Sequence, residues 1–156
     1  MDQPENQLNL AALLRIPFQA LVDELHRRLA EAGYGDIRPA HTIIFALLGS
    51  EGMRLSELTA RAQTTKQVMN YLINSVEKNG YVERLPDPAD GRAKIVRLTA
   101  RGLEASQAGR KILFSLENEW AQDFGEKEMR ELRLLLLRLV TIVGQLQTDQ
   151  TSLDDD

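Results

Sequence analysis

Two stretches of this chain hold side chains suited to touching a polyanion. The first runs from Thr64 to Lys78. At about 100° per residue, Thr65, Met69, Leu72, Ile73 and Val76 fall on one side of a helix, and Gln67, Asn70, Tyr71, Asn74 and Lys78 on the other. The second face is rich in amides, with a phenol and a lysine, and meets a carboxylate only at its edge, Glu77. Amides pair with adenine edges and lysine reaches guanine or phosphate, whereas a carboxylate would repel the nucleic-acid backbone. A plain solvent face is the other reading, and such a face would usually mix in glutamate. The second stretch, residues 82–102, reads as a β-hairpin with a basic tip. Its strands are expected at Tyr81–Leu85 and Lys94–Leu98, separated by Pro86, Pro88, Asp90-Gly91 and Arg92. Arg92 and Lys94 would reach a groove or its phosphates, and Asp90 is expected to hold the Arg92 guanidinium in place. Thr99 stands where a helix N-cap belongs.

Other chemistries find little support. The chain has no Gly-rich phosphate loop, no metal-ligand cluster and no cysteine, which argues against an enzyme, a metal, a cofactor, a disulfide or a thiol redox switch. His26, beside Arg27 and Arg28, reads as a surface residue. His41 reads as a partly buried structural or ligand-pocket group. No apolar run approaches a membrane span and residues 1–20 lack signal-peptide features, so the expected location is cytoplasmic, with no membrane partner.

The elements that position these residues follow from periodicity. Leu10, Leu13, Leu14, Phe18, Leu21, Val22, Leu25 and Leu29 mark a first helix over residues 8–32, which Pro17 should kink or in which it marks the start of the regular part. A second helix is expected from Pro39 to about Leu48, then short helices at 56–62 and 64–79, the latter opened by a Thr64-x-x-Gln67 capping box. Long helices follow the hairpin at 99–124 and 126–146, and a flexible Asp-rich tail at 149–156. The net charge of −4 is unevenly spread. Residues 54–111 hold 11 Lys/Arg against 6 Asp/Glu, while 1–53 hold 4 against 7 and 112–156 hold 4 against 10. A basic middle between acidic ends is a local footprint for a polyanion; an ordinary charged surface is the other reading. The apolar stripes at 112–124 and 132–146 exceed what one small chain can cover, which predicts a homodimer, with a monomeric helical cap as the alternative.

Helix, tight turn, helix and hairpin make a winged helix-turn-helix. The chain resembles the MarR family of bacterial transcriptional regulators over nearly its whole length. The resemblance rests on Leu55-Ser56-Glu57-Leu58, on Thr65 to Leu72, on Val76-Glu77-Lys78-Asn79-Gly80-Tyr81-Val82-Glu83-Arg84, and on Asp87-x-x-Asp90-Gly91-Arg92 followed by Val96-x-Leu98-Thr99-x-x-Gly102. It implies one MarR-type domain over 1–156, mainly α with a small β-hairpin. Residues 8–35 and 105–147 would be dimerisation helices, and 38–104 the winged helix-turn-helix. It further implies a dimeric regulator, usually a repressor, on a pseudo-palindromic double-stranded DNA operator, often released by a small aromatic or phenolic effector. Ser56, Thr64 and Thr65 would contact phosphates. Lys66, Gln67, Asn70 and Tyr71 would face bases or backbone, with Asn74 and Lys94 beside them and Arg92 in the minor groove. Where the family commonly has small Ser/Thr residues, this chain has Met69-Asn70-Tyr71, so base preference is not transferable. Tyr34, His41 and Phe45 are candidates for an effector pocket, with plain packing as the other reading. A winged-helix module that binds protein and not DNA is the alternative function, kept open by the acidic pI of about 5.3.

Overall fold

A computed structural model describes residues 8–153. The chain divides into two compact units, Met1–Leu113 and Phe114–Asp156. The first begins with α1 (Leu10–Leu29), whose N-terminal amides are met by Asn9, its side chain accepting the Ala12 N–H at 2.9 Å. Pro17 lies inside this helix and does not mark its beginning. A π turn (Ala30–Tyr34) ends it, with Gly33 at φ +93°, a left-handed conformation suited to glycine. A 3-10 turn at Pro39–His41 then leads into α2 (Thr42–Leu47).

The reading portion follows as β1 (Met53–Arg54), α3 (Leu55–Arg61), α4 (Lys66–Lys78), β2 (Val82–Asp87) and β3 (Asp90–Leu98). The strands form an antiparallel sheet in the order β1-β3-β2. The two-residue β1, pairing Met53 with Val96, was not expected from sequence. Pro86 is tolerated because β2 is an edge strand. Ile44, Leu58, Met69, Ile73, Val76, Tyr81 and Val96 are fully buried and join α2, α3, α4 and the sheet in one core.

Two details explain how α5 (Ala100–Phe124) leaves the sheet. Thr99 is the cap that its position predicts: its hydroxyl accepts the Gly102 N–H at 3.1 Å and donates to the Gly80 carbonyl at 2.6 Å. Gly102 passes so close to the Tyr81 carbonyl that a Cβ would sit 2.0 Å from that oxygen. In the second unit α5 turns at Gly125 (φ +108°) into α6 (Glu126–Leu153), and Arg133 bonds Glu117 at 2.8 Å. Leu134, Leu135, Leu137, Val140 and Ile142 of α6 are exposed. α6 continues past Leu146, where the apolar periodicity stops, so residues 149–153 are its last turn and not the flexible tail expected there; residues 154–156 of that tail lie outside the described residues.

Candidate nucleic-acid interface

α4 starts one residue later than the Thr64-x-x-Gln67 pattern suggests. The N-cap is Thr65, whose hydroxyl accepts the Val68 N–H at 3.2 Å. Thr65 is therefore exposed at the helix start and is not on the core face, while Thr64 is half-buried in the turn. That turn closes through Gln63, the only non-glycine with positive φ (+49°) among the described residues. Met69, Ile73 and Val76 face the core as expected, and Leu72 is half-buried. Lys66, Gln67, Tyr71, Asn74 and Lys78 are exposed together on the other side, and Ser56 is exposed in the first turn of α3. Asn70 is half-buried, with its amide nitrogen donating to the Lys66 carbonyl at 3.0 Å.

The hairpin is tighter than expected. β2 extends to Asp87 and β3 begins at Asp90, so the tip is Pro88-Ala89 and not Asp90-Gly91-Arg92. Asp87 closes this turn by accepting the Ala89 N–H at 2.8 Å, and a register shift at Pro86/Asp87 takes up Gly91–Ala93. Arg92 and Lys94 are exposed on β3 just behind the tip. The role expected of Asp90 is corrected too: its carboxylate accepts the backbone N–H of Arg92 at 3.1 Å and fixes the main chain, not the guanidinium.

The carboxylate that braces the wing is Asp87. It is buried and pairs with Arg54 of β1, tying the hairpin to the strand before α3. The Ala89 N–H and, after it, the Arg54 guanidinium hold its carboxyl below the usual carboxylate range, against the opposing effect of burial. A second brace joins the wing to α4. Arg84 of β2 pairs with Glu77 and donates to the Asn74 side-chain oxygen at 2.8 Å. Asn74 thus has one face committed within the fold. Sequence reading gave Arg54, Asp87 and Arg84 no bracing role, because each ion-pair partner lies on another element.

The charges sort themselves by this bracing. Among the described residues 54–101, every arginine except Arg92 lies within ion-pair distance of a carboxylate: Arg54 with Asp87, Arg61 with Glu57, Arg84 with Glu77, Arg97 with Glu83 and Arg101 with Asp36. Lys66, Lys78 and Lys94 have no such partner in the same stretch. The unneutralised cations of this stretch therefore belong to α4 and the wing.

The three effector-pocket candidates separate. Phe45 lines a cavity of about 560 Å³ within the first unit, with Leu25, His26, Ile37, Ser106 and Arg110. Tyr34 packs its ring against Tyr81 at 6.4 Å, as Phe45 also does at 5.8 Å. Tyr81 is the hub there: its hydroxyl donates to Asp36 and accepts from Arg101, whose guanidinium lies 4.7 Å from the ring centre. Burial, then the Asp36 bond, raises its phenol pKa. His41 is buried outside the cavity lining, its Nδ1 accepting the Arg38 N–H at 3.1 Å. Burial, then Arg38 and His26, lowers its pKa and keeps the ring neutral. His26 is not the surface residue its neighbours suggest. It is half-buried, with Nδ1 3.0 Å from the Ile37 carbonyl and Nε2 2.9 Å from the Thr42 hydroxyl.

A family model for the MarR family matches residues 36–93, the span from the end of the first inter-helix loop to the wing. The chain is similar to the transcriptional regulator HosA of Escherichia coli O111:H-, 30% identical over 101 residues, which cover 65% of this chain and 74% of HosA. It is similar also to ExpG of Rhizobium meliloti (strain 1021), a transcriptional activator of exopolysaccharide II synthesis, at 23% identity over 69% of this chain and 55% of ExpG. A crystal structure of MarR superposes with a TM-score of 0.79 over 96% of this chain and 98% of that one, at 23% identity. At that identity the likeness is one of fold.

Proposed function

The chain belongs to the MarR family of DNA-binding transcriptional regulators, and on that premise we propose that it is a dimeric repressor of a pseudo-palindromic operator, released by a small aromatic or phenolic effector. The observation that carries the DNA-binding part is the segregation of charge: among the described residues 54–101 every arginine except Arg92 is paired with a carboxylate, and Arg92 and Lys94 of the wing are exposed, as are Lys66 and Lys78 of α4. Unpaired cations are what phosphates recruit, and their release of counterions makes binding steeply salt-dependent. In this reading α4 enters the major groove, with Gln67, Asn70 and Tyr71 toward the bases and Lys66 and Lys78 toward phosphates. Arg92 enters the adjacent minor groove, where the negative potential favours guanidinium. The Thr65 hydroxyl accepts within the cap and keeps its proton for a phosphate oxygen, with Ser56 and Thr64 flanking it.

The effector would occupy the cavity beside Phe45. Its walls are apolar apart from His26, Thr42, Ser50, Ser106 and Arg110. Arg110 donates to the Ser106 hydroxyl at 3.1 Å. That lining suits an aromatic ring bearing a hydroxyl or carboxylate. Selection of bound sequences from random duplexes tests the operator, and gel shifts of the selected site with added salicylate-type phenols test release. No enriched duplex would remove DNA recognition. Enriched duplexes held equally with and without phenols would remove the effector alone. A reporter placed behind the selected site distinguishes repression from activation.

A further inference from the structure

Folding does not explain why α4 carries a valine at position 68. It stands three positions after the Thr65 cap, where a capping box would place glutamate or glutamine. Its β-branch makes it a poorer helix former than either. It is 47% exposed and so adds little to the core. Tyr71, three residues on and therefore on the same face, is 72% exposed. The two form an apolar strip inside an otherwise polar, cationic surface, at the end of the helix that contacts base edges in this fold. The Thr65 hydroxyl fixes the Val68 backbone, so the isopropyl group is presented from a rigid first turn. Within the major groove, the apolar group available to such a side chain is the C5-methyl of thymine.

Resting on the reading of α4 as the recognition helix, we propose that Val68 is a specificity-determining residue that packs against a thymine C5-methyl group in each half-site, with Tyr71 extending the same apolar surface. The test uses the full chain and the duplex it selects. Each thymine is replaced in turn, symmetrically in both half-sites, by 2′-deoxyuridine, which removes only the methyl group. At one position the wild-type affinity should fall about three- to fivefold per half-site, the scale of one methyl group returned to water. Val68→Ala should bind the thymine and deoxyuridine sites equally while keeping the wild-type melting temperature, and Val68→Ile should keep the sensitivity. The absence of any methyl-sensitive thymine, or a Val68→Ala protein as sensitive as wild type, overturns the proposal and leaves DNA binding standing. Failure to enrich any duplex overturns the reading of α4 itself.

Discussion

Two arginines of the wing illustrate how a side chain's partners decide its role. Arg84 is committed to Glu77 and Asn74, whereas Arg92 is exposed and, among the described residues, has no carboxylate within ion-pair distance. Arg92→Ala should therefore weaken operator binding by tenfold or more with an unchanged melting temperature. Arg84→Ala should lower affinity and also lower the melting temperature by a few degrees, since it leaves Glu77 without its partner between α4 and the wing. Gel shifts beside thermal melts separate the two, and an Arg92→Ala protein that binds normally would remove the wing contact. His41 supplies a pH dependence. Its Nδ1 accepts the Arg38 N–H and can do so only when unprotonated, and burial lowers its pKa below the usual 6.5. The unfolded chain then binds the proton that the folded chain refuses, so stability is full above about pH 6.5 and declines as pH falls below it. The melting temperature should drop between pH 7.5 and 5.5, and His41→Gln, which keeps an acceptor but cannot titrate, should flatten that drop. An equal drop in the variant would assign the slope to other groups.

At the scale of elements, the junction of β3 and α5 explains the Thr99-x-x-Gly102 spacing. Thr99 needs an N–H donor three residues on, and Gly102 supplies it while letting the helix pass the Tyr81 carbonyl. Gly102→Ala should cost about 2–3 kcal/mol, because backbone and not a flexible side chain occupies the added methyl's space. Gly91→Ala, with nothing within 4 Å and an ordinary φ, should change stability by about 0.5 kcal/mol at most. Denaturant titration of both variants reads the contrast directly. This junction was legible in the sequence because cap and glycine are neighbours along the chain. The helices were legible through their apolar spacing, and so was the polar side of α4. β1 was not: two residues cannot display alternation, and Met53 becomes a strand only by pairing with Val96. The true hairpin tip was hidden because Asp90-Gly91 carries the stronger turn signal, while Asp87, braced by Arg54 from a distant strand, closes the turn at Pro88-Ala89. Val68 escaped the helical wheel because it falls between the two faces, and only its exposure shows which one it joins.

For the whole molecule, the question is what covers its exposed leucines. Leu10, Leu13, Leu14 and Phe18 of α1 are exposed, and so are Leu134, Leu135, Leu137 and Val140 of α6. Exposed apolar stripes of that length usually mark an interaction surface, and a second copy of the chain is the cover proposed for them here. If α6 packs on its copy, Leu135→Glu with Val140→Glu should bury charge at that contact and separate the protomers. If the chain acts alone, two substitutions at exposed positions should change little. Sedimentation at micromolar concentration should therefore show a dimer for the wild type and a monomer for the double variant, with α4 and the wing left intact. Operator affinity should then fall by about a hundredfold or more. One reading head must bind without the second held at high effective concentration beside the other half-site. The salt dependence of the remaining binding should also fall to about half its slope, because half the phosphate contacts are lost. A double variant that stays dimeric, or one that turns monomeric with full affinity and an unchanged salt slope, would refute the paired-head arrangement.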